Sequence, residues 1–205
     1  THVDHIQGLP FFTPLFIRGN SIRIMGRELK GVPLKEVLQD QLNGHYSPLY
    51  GLENLAAGLE VQTLRAGSSW PAEGFEVKTH LAPHGSTSVV ACRITADGKS
   101  IVIMTDVEHP PEGISNGLIE LARDCDLLVH DAMFSDQEYS LRAGWGHSSV
   151  GSAIATAQTV GAGRLALFHH SPDSSDEQLD TLVSQASEAS SIPLFAAQEG
   201  HDVAI

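Results

Sequence analysis

The run His2-Val3-Asp4-His5-Ile6-Gln7-Gly8-Leu9-Pro10 sets two imidazoles and a carboxylate within four consecutive positions. Both groups are competent ligands for borderline metals such as zinc, so the run suits one or two such ions. Taken alone, it also fits a polar chain end whose histidines are merely solvated. The rest of the chain bears on the choice.

Four apolar runs downstream each finish in His or Asp. The run at 75–81 leads into Ala82-Pro83-His84-Gly85, and 101–105 stops at Asp106. The run at 126–130 closes on His130-Asp131, and 164–168 closes on His169-His170. Ligands in α/β sheets bind at strand ends, where the loops converge on one edge. One such case reads as a strand-terminal cap. Four of them, with His2, Asp4 and His5, can supply a bridging carboxylate and enough imidazoles for two ions.

The periodicity predicts strands at 21–25, 58–64, 75–81, 88–95 and 100–105, with Asp97-Gly98 as the turn of a hairpin. Residues 66–74, rich in Gly, Ser and Pro, read as a loop. A helix is expected at 33–42. From residue 113 onward, helices at 113–123, 148–160 and 175–189 alternate with strands at 126–130, 164–168 and 193–196. Hairpins followed by strand–helix alternation predict mixed sheets covered by helices, an α/β fold.

The chain has 205 residues, 41% hydrophobic and 18% charged, enough to bury a sizeable core as one domain. Twelve Lys plus Arg stand against 25 Asp plus Glu, a net charge of −13 with His neutral. That surface repels phosphate backbones and argues against nucleic acid as a partner. Cys92 and Cys125 are the only cysteines, which excludes a disulfide scaffold and suits a reducing cytoplasm. No run approaches the ~18 apolar residues of a membrane helix, so no membrane partner is expected. Eleven histidines, nearly as many as Lys and Arg together, are the anomaly.

Gly144-Trp145-Gly146-His147-Ser148-Ser149 reads as a tight turn with Ser148 capping the next helix. A helix N-terminus disfavours imidazolium, so His147 is expected to stay neutral, with a pKa suited to proton transfer. A histidine packed beside Trp145 is the plainer alternative.

The run His2 to Phe12, with Thr105-Asp106-Val107-Glu108-His109, His130-Asp131-Ala132-Met133-Phe134, Gly146-His147-Ser148-Ser149 and Leu167-Phe168-His169-His170-Ser171-Pro172, resembles the metallo-β-lactamase-fold hydrolases. It is most similar to the branch of cyclic-nucleotide-phosphodiesterase-like proteins and ribonuclease Z. The resemblance implies an αββα sandwich, two mixed sheets flanked by helices. It also implies a single domain over residues 1–205 that is incomplete at its N-terminus, because the family motif carries another His two places before His2 and strands ahead of it.

Residue by residue, the resemblance assigns His2 to a first zinc-type ion and Asp4 and His5 to a second. Asp106 would bridge them and His169 would complete the second. His84, one place later than the branch's usual histidine, is the candidate third ligand of the first ion. His130 and Asp131 would stand behind the ligands, Asp131 orienting His147 as proton donor to the leaving oxygen. Two Zn2+ ions are implied, with Mn2+ or Fe2+ compatible, and a bridging hydroxide would attack phosphorus.

The expected activity is hydrolysis of a small phosphodiester in the cytoplasm. The alternatives are a metal-depleted scaffold of the same fold and, among enzymes, a tRNA 3′-end endonuclease. The chain shows no basic, glycine-rich insertion to grip RNA. A homodimer covering an exposed sheet edge is a further expectation. His45, His80 and His201 read as solvated or structural, and His109 as a loop residue. Phe11, Phe12 and Phe16 read as core or pocket wall, Cys125 as a buried inert thiol, and Arg18 and Arg142 as candidates to touch phosphate.

Overall fold

A computed structural model describes residues 2–28, 30–45, 47, 51–65 and 67–205. Thr1 and Ala66, each the first residue of a stretch read above, lie outside the described residues. The chain divides into two compact units, Thr1–Arg65 and Ala66–Ile205.

The first unit opens with α1 (Val3–Ile6) and two 3-10 turns, Leu9–Phe11 and Thr13–Phe16. Strand β1 (Ser21–Gly26), helix α2 (Leu34–Gln41) and strand β2 (Gly58–Thr63) follow. The two strands pair in parallel, Ser21 opposite Gly58 through Gly26 opposite Thr63. Leu34 and Leu38 lie four apart on one face of α2, and with Leu42 and Leu52 they form a buried core against Ile24, Leu59 and Val61. Phe11 and Phe12 do not join it. Phe11 is 81% exposed, while half-exposed Phe12 walls a 400 Å³ cavity with Ile6, Leu9, Ile24 and Leu38. Phe16 is also partly exposed, so the core reading of these rings is corrected.

The second unit is a seven-stranded mixed sheet whose spatial order follows the sequence. Its strands are β3 (Ser69–Ala72), β4 (Phe75–His84), β5 (Thr87–Ala96), β6 (Lys99–Met104), β7 (Leu127–Asp131), β8 (Leu165–Phe168) and β9 (Leu194–Ala196). Pairing is antiparallel from β3 to β6 and parallel from β6 to β9. Helices α3 (Asn116–Ala122), α5 (Val150–Val160) and α6 (Asp176–Ala189) pack on it. Val102, Met104, Leu118, Leu128, Leu165 and Leu167 are fully buried between them. Each such side chain is worth about 1.5–3 kcal/mol relative to exposure.

Two elements of the second unit depart from the sequence reading. The stretch read as a loop at 66–74 contains β3, which pairs with β4 around a turn where Gly74 takes φ 77°. Helix α4 (Asp136–Arg142) was not expected, although Ser135 and Glu138 form a capping box at its start. Among the described residues, no helix is long and apolar enough to cross a membrane.

This topology decides where the chemistry falls. Strand β4 is antiparallel to β5, and β5 to β6, so β4 runs in the same direction as β6, β7 and β8. Four C-terminal strand ends therefore meet one edge. They carry His84, Asp106, His130-Asp131 and His169.

Candidate metal centre

His84 ends β4 and is 5% exposed. Its Nδ1 lies 2.7 Å from the Gly146 carbonyl oxygen. A carbonyl can only accept, so Nδ1 carries the proton and Nε2 is left with its lone pair. Gly146 takes φ 99°, and a Cβ there would overlap the His84 ring, so glycine is required.

Asp106 follows β6 and His169 follows β8, and both adopt left-handed backbone, φ 54° and 60°. Side chains other than glycine rarely take that conformation, and it gathers at functional sites. His169 Nε2 stands 3.6 Å from Asp106 Oδ1, and Asp106 is 5% exposed.

His147 lies among these groups. Its ring is stacked on His169 at a centroid distance of 4.9 Å and edge-on to His84 at 5.1 Å. Its Nδ1–H donates to Asp131 Oδ2 at 2.8 Å. Asp131 is fully buried, and its other oxygen accepts from the backbone N–H groups of Ser148 at 3.0 Å and Met133 at 3.2 Å. Burial alone would push the His147 pKa down. The Asp131 hydrogen bond and charge, with Asp106 and Glu108 nearby, outweigh it and raise the pKa above the ordinary imidazole value. The helix terminus expected to disfavour the His147 imidazolium is therefore outweighed: the carboxylates favour it. The cap is corrected too. Ser149, not Ser148, accepts from the Ser152 N–H at the start of α5, while the Ser148 hydroxyl donates to the Val107 carbonyl at 2.6 Å.

A second line of imidazoles stands behind. His130 Nδ1–H donates to the Asp131 carbonyl at 2.7 Å, and its Nε2 faces His109 Nε2 at 3.0 Å. Burial, then the proximity of His130, lowers the His109 pKa to about 3, and burial lowers that of His130. Both are neutral, so His109 Nε2–H donates to the His130 lone pair. His109 is thus joined to the site and is more than a loop residue.

Ligand atoms of His84, Asp106 and His147 lie within 4.8 Å of one another, as do those of Asp131, His147 and His169. Buried imidazole nitrogens with a fixed tautomer, gathered on a carboxylate, are a donor set that fits a zinc-type ion. His169 rather than its neighbour reaches Asp106. Both ring nitrogens of His170 are buried.

His2, Asp4 and His5 belong to the first unit, where His5 Nε2 is 3.3 Å from Asp4 Oδ2 and all three residues are exposed. His80 is structural, pressed against Gly117 of α3. His45 and His201 are exposed. Cys125 is buried with its thiol pKa raised to about 11, an inert group. Arg142 stacks 5.2 Å over the Phe134 ring.

Residues 1–170 match the beta-lactamase superfamily domain. The chain belongs to the metallo-β-lactamase superfamily. Its fold recurs in human tRNase Z, short form, with TM-score 0.69 at 20% identity, covering 100% of this chain and 76% of that one. It recurs also in a diphosphatase of the PhnP family, with TM-score 0.72 at 18% identity, covering 100% and 68%. The ribonuclease Z of Anoxybacillus flavithermus is 28% identical over 227 residues, covering 90% of this chain and 71% of that protein. The ribonuclease Z of Acaryochloris marina is 36% identical over 95 residues, which take in 46% of this chain and only 29% of that protein. Metallo-β-lactamase hydrolases are thus its kin, and the fold implies metal ions.

Proposed function

We propose that the chain hydrolyses a small phosphodiester at the edge where β4, β6, β7 and β8 end. One observation carries this reading: the buried carboxylate of Asp106 sits within 4.8 Å of ligand atoms on His84 and His147, two imidazoles whose tautomers are fixed by acceptors behind them. His84, Asp106 and His169 would hold zinc-type ions. The motif adds His2, Asp4 and His5 as ligands, an assignment that rests on the sequence motif alone. Such ions, when bound, make water nucleophilic near neutral pH and offset charge on the phosphoryl oxygens.

The chain's own residues supply the proton chemistry. Asp131 holds the Nδ1–H of His147, so a second proton on Nε2 makes an imidazolium that can protonate the leaving oxygen. The hydrogen bond to Asp131 and the nearby carboxylates favour that form by raising the His147 pKa. Asp131 stays the acceptor, held in place by two backbone N–H groups and His147.

The test is hydrolysis of bis(p-nitrophenyl) phosphate by protein of measured metal content. Asp106→Ala should abolish it, and undiminished turnover in that variant would overturn the proposal. Protein without bound metal and without turnover would return the reading to a metal-depleted scaffold. The match to residues 1–170 takes in both compact units, and on it rests the proposal that residues 1–205 work as one domain.

A second reading is favoured by the relatives, which are named ribonuclease Z: cleavage at the 3′ end of precursor tRNA. The net charge of −13 opposes it. Tight gel-shift of a precursor tRNA at low salt would reverse the preference.

A further inference from the structure

Glu108 enters the chemistry above only as a nearby charge on His147, yet it binds the site's frame at four points. Its Oε2 accepts from the Gly146 N–H at 2.6 Å, and its Oε1 from the Gly144 N–H at 2.6 Å and the Tyr139 hydroxyl at 3.0 Å. Its own backbone N–H donates to the Pro83 carbonyl at 3.0 Å. One residue therefore grips the strand immediately before His84 and the loop whose Gly146 carbonyl receives the His84 proton.

That loop needs an external hold. Gly144 and Gly146 take φ 90° and 99°, so the sequence between Ala143 and His147 has little conformational preference of its own. It also runs close to the strand, since a Cβ on Gly85 would stand 3.0 Å from the Gly144 carbonyl oxygen. Two peptide N–H groups flanking Trp145 converge on one carboxylate, and charge-assisted bonds of this length are the strong ones.

We propose that Glu108 is a positioning residue of the metal centre: by clamping the Gly144–Gly146 turn, it holds the Gly146 carbonyl where it fixes His84 as the Nδ1–H tautomer, which makes Nε2 the atom that would ligate. This inference rests on reading His84 as a ligand. A residue supporting a ligand in this way is typically worth 10- to 100-fold in metal affinity.

The variants are Glu108→Gln, Glu108→Ala and, as a control, Tyr139→Phe, which removes only the third donor. Glutamine keeps the size but can accept with one oxygen only and turns an N–H2 toward a peptide N–H. The tautomer of His84 is read in metal-free protein by long-range 1H–15N correlation at pH 8. Zinc affinity is read by chelator competition well below each variant's Tm, and kcat and KM are measured on bis(p-nitrophenyl) phosphate.

In both Glu108 variants the His84 Nδ1–H signature should give way to a tautomer mixture and zinc affinity should fall 10- to 100-fold. The kcat should drop more than KM changes, and Tyr139→Phe should match the wild type in tautomer and affinity. A lowered Tm with the tautomer intact and zinc affinity within twofold of wild type would make Glu108 merely structural and overturn the proposal. Should the wild type prove inactive on phosphodiesters, the tautomer and zinc readouts still decide this inference. Should Glu108→Ala not fold, Glu108→Gln decides it.

Discussion

The Nδ1–H of His84 donates to the carbonyl of Gly146 at 2.7 Å, across 62 residues of sequence, and the glycine owes its identity to the same ring. Adding one methyl group at position 146 therefore strikes the imidazole and forces a side chain into φ 99°. Gly146→Ala should lower stability by roughly 1–3 kcal/mol from backbone strain alone. It should also weaken zinc binding, because the ring must turn. Thermal unfolding with a parallel zinc titration checks both, and an alanine variant with unaltered zinc affinity would show that the ring is held otherwise.

Asp131→Asn keeps the shape but replaces an oxygen that accepts from His147 or from the Ser148 and Met133 N–H groups with an N–H donor. The imidazolium at His147 loses its counter-charge. Turnover of an alkyl diester, whose leaving oxygen needs a proton, should fall by about 10²- to 10⁴-fold, with a smaller loss for an activated aryl diester. An equal fold-loss in kcat for both kinds of leaving group would take His147 out of the proton transfer.

Zinc should act as a folding ligand. At a free concentration 100-fold above Kd it adds about 2.7 kcal/mol to the native state, which is a rise of several degrees in Tm for a chain of this size. Asp106→Ala should flatten that rise. A wild-type Tm indifferent to zinc and to chelator would contradict the proposed centre.

The pair His109 and His130 makes the fold sensitive to acid. The folded pKa of His109, about 3, lies below the ordinary value of 6.5, so the unfolded chain takes up the proton first as pH falls. The stability tied to this neutral imidazole is complete above pH 6.5 and is lost as pH drops from there toward 3. His109→Leu should have a denaturant midpoint that declines less steeply between pH 7 and pH 4. Parallel curves for the two proteins would disprove the assignment.

Trp145 is 67% exposed on a turn whose flanking peptides are both bound by Glu108, which makes it a flat, prearranged surface two residues from His147. Stacking of a base or aryl group on such a ring is worth about 1–3 kcal/mol. Trp145→Ala should raise KM for an aryl or nucleoside diester by roughly 5- to 100-fold and leave that for a methyl diester unchanged. A uniform effect on the two substrates would exclude stacking.

What could be read from the sequence was what is local. Apolar strands ending in His84, Asp106, Asp131 and His169 are visible as runs, and direction follows once the hairpin at Asp97-Gly98 is placed. Strand β3 escaped because Trp70-Pro71 sits among loop residues and its pairing with β4 is tertiary. Helix α4 is too short for periodicity to show, although Ser135 and Glu138 spell its cap. The misjudged residues were those whose partners lie far along the chain. Ser148 bonds to Val107 and leaves the cap to Ser149. The pKa of His147 is raised by Asp131, Asp106 and Glu108, none of which its own helix reveals. His109 meets His130 across 21 residues.

Of the five described non-glycine residues with left-handed backbone, two are Asp106 and His169. For an L-residue that conformation costs about 1–2 kcal/mol relative to ordinary backbone, and glycine would relieve it. A population of this chain screened for heat resistance with chelator present should thus accumulate Asp106→Gly and His169→Gly early, gaining durability as it loses the site. Durability and the site are thus opposed at two backbone positions, and the strain held there is released only by giving up the side chains that do the work.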